Sequence, residues 1–166
     1  RSKDVLKKTT IDQLPELAAS LMEKGTLLAP VKEDAGFNFR KIQDAKQVDL
    51  IFHNTIVSPK SVFLPQTEDF VMYKTGQSIL EAVPVEPNIE PTFLFGVRPC
   101  DVKSFEIMDL HFIRTKPADP YWTKRREATT IFGFAFDTSE EADVAEFYHT
   151  LNIGAADPDG SDVFMI

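Results

Sequence analysis

The residues most able to do chemistry lie in the segment Arg98-Pro99-Cys100-Asp101, which contains the only cysteine of the chain. An apolar run at residues 92–97 precedes this segment, and a helical pattern follows it. A cysteine at the start of a helix lies near unpaired backbone N–H groups and the positive end of the helix dipole, which stabilise a thiolate. A buried, unreactive thiol is the competing interpretation. Arg98, Cys100 and Asp101 form the first candidate site.

The histidines and the remaining acidic residues give weaker indications of chemistry. His111 falls about three helical turns beyond Cys100, which does not favour a cysteine–histidine nucleophile pair. No two histidines are spaced as metal ligands, and the acidic turn at residues 157–162 lacks the bidentate glutamate of a calcium loop. Neither a Gly-x-Gly-x-x-Gly motif nor a Walker motif occurs. The sequence therefore predicts no metal site and no phosphate-binding loop.

The elements that must position Cys100 begin with a strand and a helix. Residues 92–97 have the composition of a strand buried on both faces, and Asp101 is expected to be the N-cap of the following helix. A polar loop containing Trp122 is expected over residues 117–127, followed by a second strand over residues 129–136. The buried face of the helix is expected to consist of four residues: Val102, Phe105, Met108 and Phe112.

A second helix and a third strand complete this half of the chain. The third strand is expected from Asp162 onward. Two strand–helix units followed by a strand give a βαβαβ pattern over residues 92–166, which predicts an α/β fold with a small mixed or mostly parallel sheet. The buried face of the second helix is expected to consist of Val144, Phe147, Tyr148 and Leu151.

The first half of the chain predicts a helix followed by a hairpin. Residues 14–22 have the apolar spacing of an amphipathic helix, and residues 26–31 and 37–42 have the composition of two paired strands. Prolines favour extended structure over residues 56–66, and residues 70–74 are a short strand candidate. Residues 83–91 contain three prolines and predict a stiff connector. We therefore expect one two-lobed α/β domain, with lobes at about residues 1–83 and 92–166.

Length and charge restrict the classes of function. A chain of 166 residues has the length of one domain and is long enough to bury a sizeable hydrophobic core. A net charge of −8 repels phosphate backbones, so general nucleic-acid binding is not expected. The sequence has no secretory signal and no apolar run of membrane length, so we expect a cytoplasmic protein that does not contact a membrane. Because the chain starts at Arg1 and stops within a predicted strand, a fragment of a longer chain is expected.

Three stretches together resemble a known family. They are Ser58-Pro59-Lys60 with Leu64-Pro65-Gln66-Thr67-Glu68, the Phe-Gly-Val-Arg-Pro-Cys-Asp sequence at residues 95–101, and residues 154–164. Over residues 25–166 the chain resembles the amino-terminal domain of iron–sulfur electron-transfer subunits, the family found in anaerobic sulfite reductases and as the beta subunit of sulfhydrogenases. The resemblance implies a redox partner subunit. It also implies a ferredoxin-like carboxy-terminal region, absent here, that carries 4Fe–4S clusters.

The departures from the family pattern concern the cluster ligands. The resemblance places a family cysteine at Phe136 and a Cys-Phe-Cys motif at Glu146-Phe147-Tyr148. With Cys100, the family would have four thiolates, enough to hold an iron–sulfur cluster, whereas this chain retains one. We therefore expect no cluster in this domain. The candidate vestigial cluster site or binding site consists of Arg98, Cys100, Asp101, Phe136, Glu146 and Tyr148.

Two functions follow as expectations. The first is a scaffold or docking domain of an iron–sulfur electron-transfer protein, which does no chemistry itself but orients a cluster domain toward a catalytic subunit. The alternative is a small-molecule or cofactor-binding redox module that uses a pocket around Arg98, Cys100 and Asp101. Whether the chain is itself an enzyme is left open by the sequence.

Overall fold

Seven strands, four α-helices and three short 3-10 helices make up the regular structure of the computed structural model, which describes residues 10–52, 54–75, 80–135 and 142–166. The strands are β1 (Thr26–Glu33), β2 (Gly36–Lys41), β3 (Val71–Thr75), β4 (Leu80–Pro84), β5 (Thr92–Val97), β6 (Thr129–Phe134) and β7 (Val163–Met165). The helices are α1 (Leu14–Met22), α2 (Pro99–Phe112), α3 (Pro120–Ala128) and α4 (Ala142–Thr150).

The main sheet has five strands in the order β2-β1-β5-β6-β7. The pairs β1–β5, β5–β6 and β6–β7 are parallel, and β1–β2 is an antiparallel hairpin. The predicted α/β class with a mostly parallel sheet is therefore confirmed, and the first two strands of the predicted βαβαβ pattern, β5 and β6, are adjacent and parallel. The sheet takes strands from both predicted lobes, because Thr26 of β1 lies opposite Thr92 of β5.

Two hydrophobic clusters cover the faces of this sheet, because successive residues of a strand point to opposite sides. Phe95 of β5 belongs to the first cluster, where it packs with residues of α1. Leu94 belongs to the second cluster, together with residues of α2 and α3. Phe105 of α2 is fully buried there, and Met108 and Phe112 pack against the same cluster, so the predicted buried face of α2 is confirmed.

The predicted polar loop over residues 117–127 is wrong, because α3 occupies most of it. Asp119 is the N-cap of α3, and its side chain accepts a hydrogen bond from the Trp122 N–H at 2.8 Å. Trp122 is buried, and its ring stacks on Phe112 and contacts Phe63. The helix was missed because one large anchor replaces the repeated apolar residues that a periodicity search detects.

Two further expectations are corrected by the structure. Residues 59–62, expected to be extended, form a short 3-10 helix whose N-cap is Ser58. The predicted buried face of α4 is mostly wrong, since Phe147 and Leu151 are exposed while Tyr148 is buried; the side chain of Val144 lies outside the described part of the chain.

Strands β3 and β4 form a second, two-stranded antiparallel sheet. β3 confirms the strand expected near residues 70–74, and β4 includes the first two residues of the predicted connector. The hairpin is attached to α3, because the Tyr121 hydroxyl donates to the Val85 carbonyl at 2.8 Å. The rings of Phe70 and Tyr121 meet edge to face at 5.0 Å.

Candidate functional site

The first candidate site begins where β5 leads into α2. Gly96 has a φ of +81°, and the register of β5 against β6 shifts between Phe95 and Val97. A side chain at Gly96 would collide with Leu50, because a Cβ atom there would lie 2.5 Å from Leu50 Cδ2. This bulge allows the segment around Leu50 to pack directly on the strand.

Asp101 is not the N-cap of α2, so that prediction is wrong. The helix begins at Pro99 with Arg98 in the N-cap position, and the Asp101 N–H already donates to the Arg98 carbonyl at 3.0 Å. Pro99 explains the earlier start, since its fixed φ suits the first helical position and its missing N–H would have no partner there. Asp101 therefore lies in the first turn, where the helix dipole favours a negative charge.

The Arg98 side chain is buried and bonds to backbone carbonyls from distant segments. Its guanidinium donates to the carbonyls of Ala135 at 2.8 Å, Leu50 at 3.5 Å and Phe52. It also lies over the rings of Phe52, at 4.2 Å, and Phe134, at 5.3 Å. With 4% of its surface exposed, Arg98 connects the end of β6 to the segment that follows β2.

Burial is the main electrostatic influence on Arg98. It lowers the pKa of the guanidinium from 12.5 to about 10, against the opposing effect of Tyr148, Cys100 and Asp101 in their charged forms. The side chain therefore remains charged at neutral pH. Backbone carbonyls and aromatic ring faces are favourable partners for a buried guanidinium. With these contacts, Arg98 holds separate backbone segments together.

The Asp101 carboxyl group contacts the Ser58-Pro59-Lys60 stretch. Ser58 Oγ donates to Asp101 Oδ1 at 3.2 Å and accepts the Lys60 N–H at 3.4 Å. Burial raises the pKa of Asp101, while the hydrogen bond from Ser58 and the charges of Lys60 and Arg98 lower it by less. The structure thus brings Ser58 and Lys60 to the start of α2, as part of the same site.

Cys100 has Tyr148 as its neighbour. The Tyr148 hydroxyl donates to Cys100 Sγ at 3.5 Å. Burial raises the pKa of the thiol, the hydrogen bond from Tyr148 lowers it by less, and the negative charge of Asp101 raises it further. Burial also raises the pKa of Tyr148 well above its usual range. The raised pKa opposes the formation of the thiolate that the helix dipole would stabilise. The interpretation of Cys100 as an unreactive thiol is therefore favoured, with the side chain partly buried.

The other predicted site residues that the structure describes have different surroundings. Glu68 forms a partly buried ion pair with Arg125, whose guanidinium also donates to the Phe63 carbonyl at 3.2 Å. Pro59 is buried in the 3-10 helix. Pro65, Gln66 and Glu146 are exposed to solvent, and Phe136 lies outside the described residues.

A polar cluster between α2 and α3 was missed by the sequence analysis. Trp122 Nε1 donates to Asp109 Oδ1 at 2.6 Å, and Arg126 forms an ion pair with Asp109 at 3.1 Å. The detectable indication was Asp109 itself, a carboxylate within the apolar face of a helix. A charged residue in such a position needs a buried donor, and here the donors come from the helix that was not predicted.

Two cavities lie at the opposite end of the sheet from Arg98. One has a volume of about 500 Å³ and is lined by residues that include Thr26, Lys41 and Glu90. The other has a volume of about 200 Å³ and includes Thr92 and Thr129. Thr26, Thr92 and Thr129 begin β1, β5 and β6, so both cavities face the amino ends of the parallel strands. Open α/β sheets usually bind ligands at the carboxyl ends.

The donor set around Cys100 does not fit an iron–sulfur cluster. A cluster needs about four ligands, usually thiolates, whereas Cys100 Sγ is contacted by a phenol and the Glu146 side chain is exposed. Across residues 10–52, 54–75, 80–135 and 142–166, no three histidine, cysteine or acidic side chains lie together as metal ligands would. None of the described helices is long and apolar enough to cross a membrane.

Comparison of the chain with protein-family models, with curated proteins and with solved structures finds no match. The assignment of a function therefore depends on the residues and contacts described above.

Proposed function

We propose that this chain is a cytoplasmic scaffold or docking domain of an iron–sulfur electron-transfer protein and does no redox chemistry itself. In this role it orients a carboxy-terminal cluster domain toward a redox partner subunit. Arg98, Cys100 and Asp101 then serve to hold the sheet, α2 and the segment after β2 in one arrangement.

The arrangement of Arg98 carries the proposal. Its guanidinium donates to the carbonyls of Leu50, Phe52 and Ala135 and lies between two aromatic rings. In an open α/β sheet these are the positions where a ligand would bind, at the carboxyl ends of the strands. Here the protein's own backbone occupies them, which suits a structural role for the segment.

The iron–sulfur context is supported by the sequence motifs, and two contacts that residues of these motifs make are consistent with a shared scaffold. Ser58 of the first motif hydrogen-bonds Asp101 of the second, 43 residues away. Glu68 pairs with Arg125 of the helix α3. The cysteines that would bind a cluster in this family are replaced by Phe136, Glu146 and Tyr148. A scaffold whose cluster ligands have been lost retains the packing contacts and loses only the metal chemistry.

The first experiment tests the absence of redox chemistry. The purified chain is incubated anaerobically with ferrous iron and sulfide, and separately with FMN, FAD and NADH; bound iron and absorption spectra are then measured. We expect less than stoichiometric iron and no bound flavin or nucleotide. Stoichiometric iron with a charge-transfer band that is lost in Cys100→Ala would refute the proposal. Saturable binding of a flavin or nucleotide, weakened in Arg98→Lys, would favour the alternative cofactor-binding module.

The second experiment tests the electron-transfer context. The gene is sequenced downstream of the codon for Ile166. We expect a Cys-x-x-Cys-x-x-Cys run, since that spacing holds the clusters of ferredoxin-like regions. A downstream coding sequence without such a run, or a stop codon directly after Ile166, would remove the iron–sulfur part of the proposal and leave a scaffold of another class.

A further inference from the structure

The turn that precedes β7 contains the only Asp-Gly dipeptide of the chain, Asp159-Gly160, and the chain has no Asn-Gly dipeptide. Glycine has no side chain, so another group can approach its backbone nitrogen closely. In this dipeptide the neighbouring group is the side-chain carboxyl of Asp159, and its closure onto the Gly160 nitrogen gives a five-membered ring. Both residues are exposed to solvent. This bond is therefore the one in the chain that is least hindered against attack by its own backbone nitrogen.

The fold requires a glycine at this position. The Ser161 N–H donates to the Pro158 carbonyl at 3.1 Å, which closes a β-turn with Gly160 as its third residue. Gly160 has a φ of +80°, a conformation that favours glycine at this place in a turn. A Cβ atom there would lie 2.8 Å from Val102 Cγ1 and 2.9 Å from Glu106 Oε1 of α2. A larger residue would have to displace α2 or the turn, so the unhindered nitrogen is built into the fold.

The two groups that would react are not held by other contacts. The Asp159 N–H donates to Asp157 Oδ1 at 3.0 Å, which fixes the backbone on the amino side of Asp159. Among the described residues, none accepts a hydrogen bond from the Gly160 N–H, and none forms a hydrogen bond or an ion pair with the Asp159 carboxylate. The nearby ammonium group of Lys103 is bound to Glu106 at 2.9 Å. The Gly160 nitrogen and the Asp159 carboxyl are thus available to each other.

We infer that the Asp159–Gly160 bond is a site of spontaneous isomerisation to isoaspartate, and that this modification loosens the attachment of β7 to the sheet. The Gly160 nitrogen attacks the side-chain carboxyl carbon of Asp159 and forms a C–N bond, and the carboxyl OH leaves as water with the proton of the nitrogen. The succinimide ring then takes up one water molecule, which breaks either of its two C–N bonds. Breaking the original peptide bond leaves the main chain running through the former side chain. Water is the only other reactant.

The isomerised main chain is one carbon longer between Asp159 and Gly160, close to the residue that ties β7 to β6. That residue is Asp162, whose Oδ2 accepts the Ile131 N–H at 2.8 Å and whose N–H donates to the Ile131 carbonyl at 3.0 Å. The turn cannot take up the added carbon toward α2, because Gly160 already lies against Val102. β7 has three residues and, among the described strands, pairs with β6 alone. The added carbon should therefore displace Asp162 and weaken its contact with β6.

The inference goes beyond the proposed scaffold role and rests on the turn alone. To test it, the whole chain is purified and kept at pH 7 and 37 °C for several weeks. Samples are digested and analysed by mass spectrometry with electron-transfer fragmentation, which distinguishes isoaspartate from aspartate. A fresh sample treated in the same way measures isomerisation during handling. We expect isoaspartate to accumulate at residue 159.

An internal control and two variants make this test specific. Asp34 is an exposed aspartate in the turn between β1 and β2, but it is followed by Ala35, whose methyl group hinders the attack, so it should stay largely unmodified. Asp159→Glu keeps the charge and would need a six-membered ring, so isomerisation at this position should be lost. Asp159→Asn should form the same ring faster, because an amide is a better electrophile than a carboxylate.

The effect on β7 is measured by amide hydrogen exchange, followed by NMR, in the isomerised fraction separated from the unmodified chain by ion-exchange chromatography. The Ile131 N–H should exchange about tenfold faster or more, because it loses a hydrogen bond to a carboxylate. The Ile42 N–H donates to the Leu27 carbonyl at 2.9 Å on the far side of the sheet and should exchange at an unchanged rate.

Equal amounts of isoaspartate at Asp159 and Asp34 would overturn the inference, because the turn before β7 would then have no special reactivity. Isomerisation at Asp159 that leaves the exchange of Ile131 unchanged would also overturn it, since β7 would then tolerate the longer turn.

Discussion

Replacing Arg98 by lysine should destabilise the protein strongly, although the charge is kept. The guanidinium presents several N–H donors in a planar fork and reaches carbonyls of Leu50, Phe52 and Ala135. Lysine has a shorter reach and a compact ammonium group, so it cannot satisfy these carbonyls together. The variant therefore retains the cost of burying a positive charge and loses most of its hydrogen bonds.

The contacts set the size of this effect. The bond to Leu50, at 3.5 Å, is at the limit of a hydrogen bond, so we count only those to Phe52 and Ala135. A buried carbonyl left without a donor costs about 1–3 kcal/mol. If the ammonium keeps one of these two contacts, one carbonyl loses its donor, so Arg98→Lys should lower the free energy of unfolding by about 1–3 kcal/mol. The total free energy of unfolding of a folded domain is only about 5–15 kcal/mol.

Arg98→Met is the informative comparison. It loses both counted hydrogen bonds, but it also removes a charge whose burial is unfavourable, as the lowered pKa of about 10 indicates. We expect it to destabilise the fold by no more than Arg98→Lys does. Arg114→Lys, at an exposed arginine, is the control and should change the free energy of unfolding by less than about 0.5 kcal/mol.

Urea unfolding at pH 7, followed by the fluorescence of the only tryptophan, Trp122, measures all three variants. The tryptophan is buried in the core next to α2, so its emission reports global unfolding. An Arg98→Lys variant within about 0.5 kcal/mol of wild type would refute the reasoning. Arg98 would then be available for a ligand, as the cofactor-binding alternative requires.

Three further predictions follow from the core and the site. Phe105→Ala should lower the free energy of unfolding by roughly 3–5 kcal/mol, because the ring of Phe105 is fully buried. Leu110→Ala, on the exposed side of α2, should lower it by less than about 1 kcal/mol. Urea unfolding of both variants measures the difference, and equal losses would contradict the prediction. Asp101→Asn should be more stable than wild type at pH 7 and equal to it below about pH 3, as pH-dependent unfolding would reveal. Iodoacetamide at pH 8 should alkylate Cys100 much more slowly in the folded chain than in the urea-unfolded chain. Alkylation of the folded Tyr148→Phe variant should be slower still, because this change removes the hydrogen bond that favours the thiolate.

The sign of the Asp101 prediction follows from proton linkage. Burial raises the pKa of this carboxyl in the folded state, so the folded chain holds the proton over a pH range in which the unfolded chain has lost it. The contribution of Asp101 to stability is therefore largest below its unfolded pKa and decreases as the pH rises through its folded pKa. Asparagine keeps an oxygen that accepts from Ser58 and lacks the charge. A variant less stable than wild type at pH 7 would show that the charge helps the helix dipole more than burial opposes it.

The local sequence determined the class of fold and most of its elements. The apolar run at residues 92–97 and the β-branched run after Ala128 specified two buried parallel strands, and the apolar spacing after Pro99 specified the face of α2 that carries Phe105. The hairpin of β1 and β2 and the strand β3 were equally local. Hydrophobic periodicity is a property of neighbouring residues, so a single sequence is enough to detect it.

Only the tertiary structure decided what the candidate site is. The partners of Arg98 lie 37, 46 and 48 residues away, and Tyr148 contacts Cys100 from 48 residues away. The sequence placed Cys100 correctly at the start of a helix and left both a stabilised thiolate and an unreactive thiol possible. Burial, which local sequence does not encode, raises the pKa of Cys100 and favours the unreactive thiol. The helix α3 was missed because it has one large anchor in place of an apolar repeat: Trp122 packs on Phe63, far along the chain, and bonds to Asp109 of α2. Short-range patterns determine which helices and strands form. Desolvation and hydrogen bonding between distant segments determine the pKa values and the partners of the site residues.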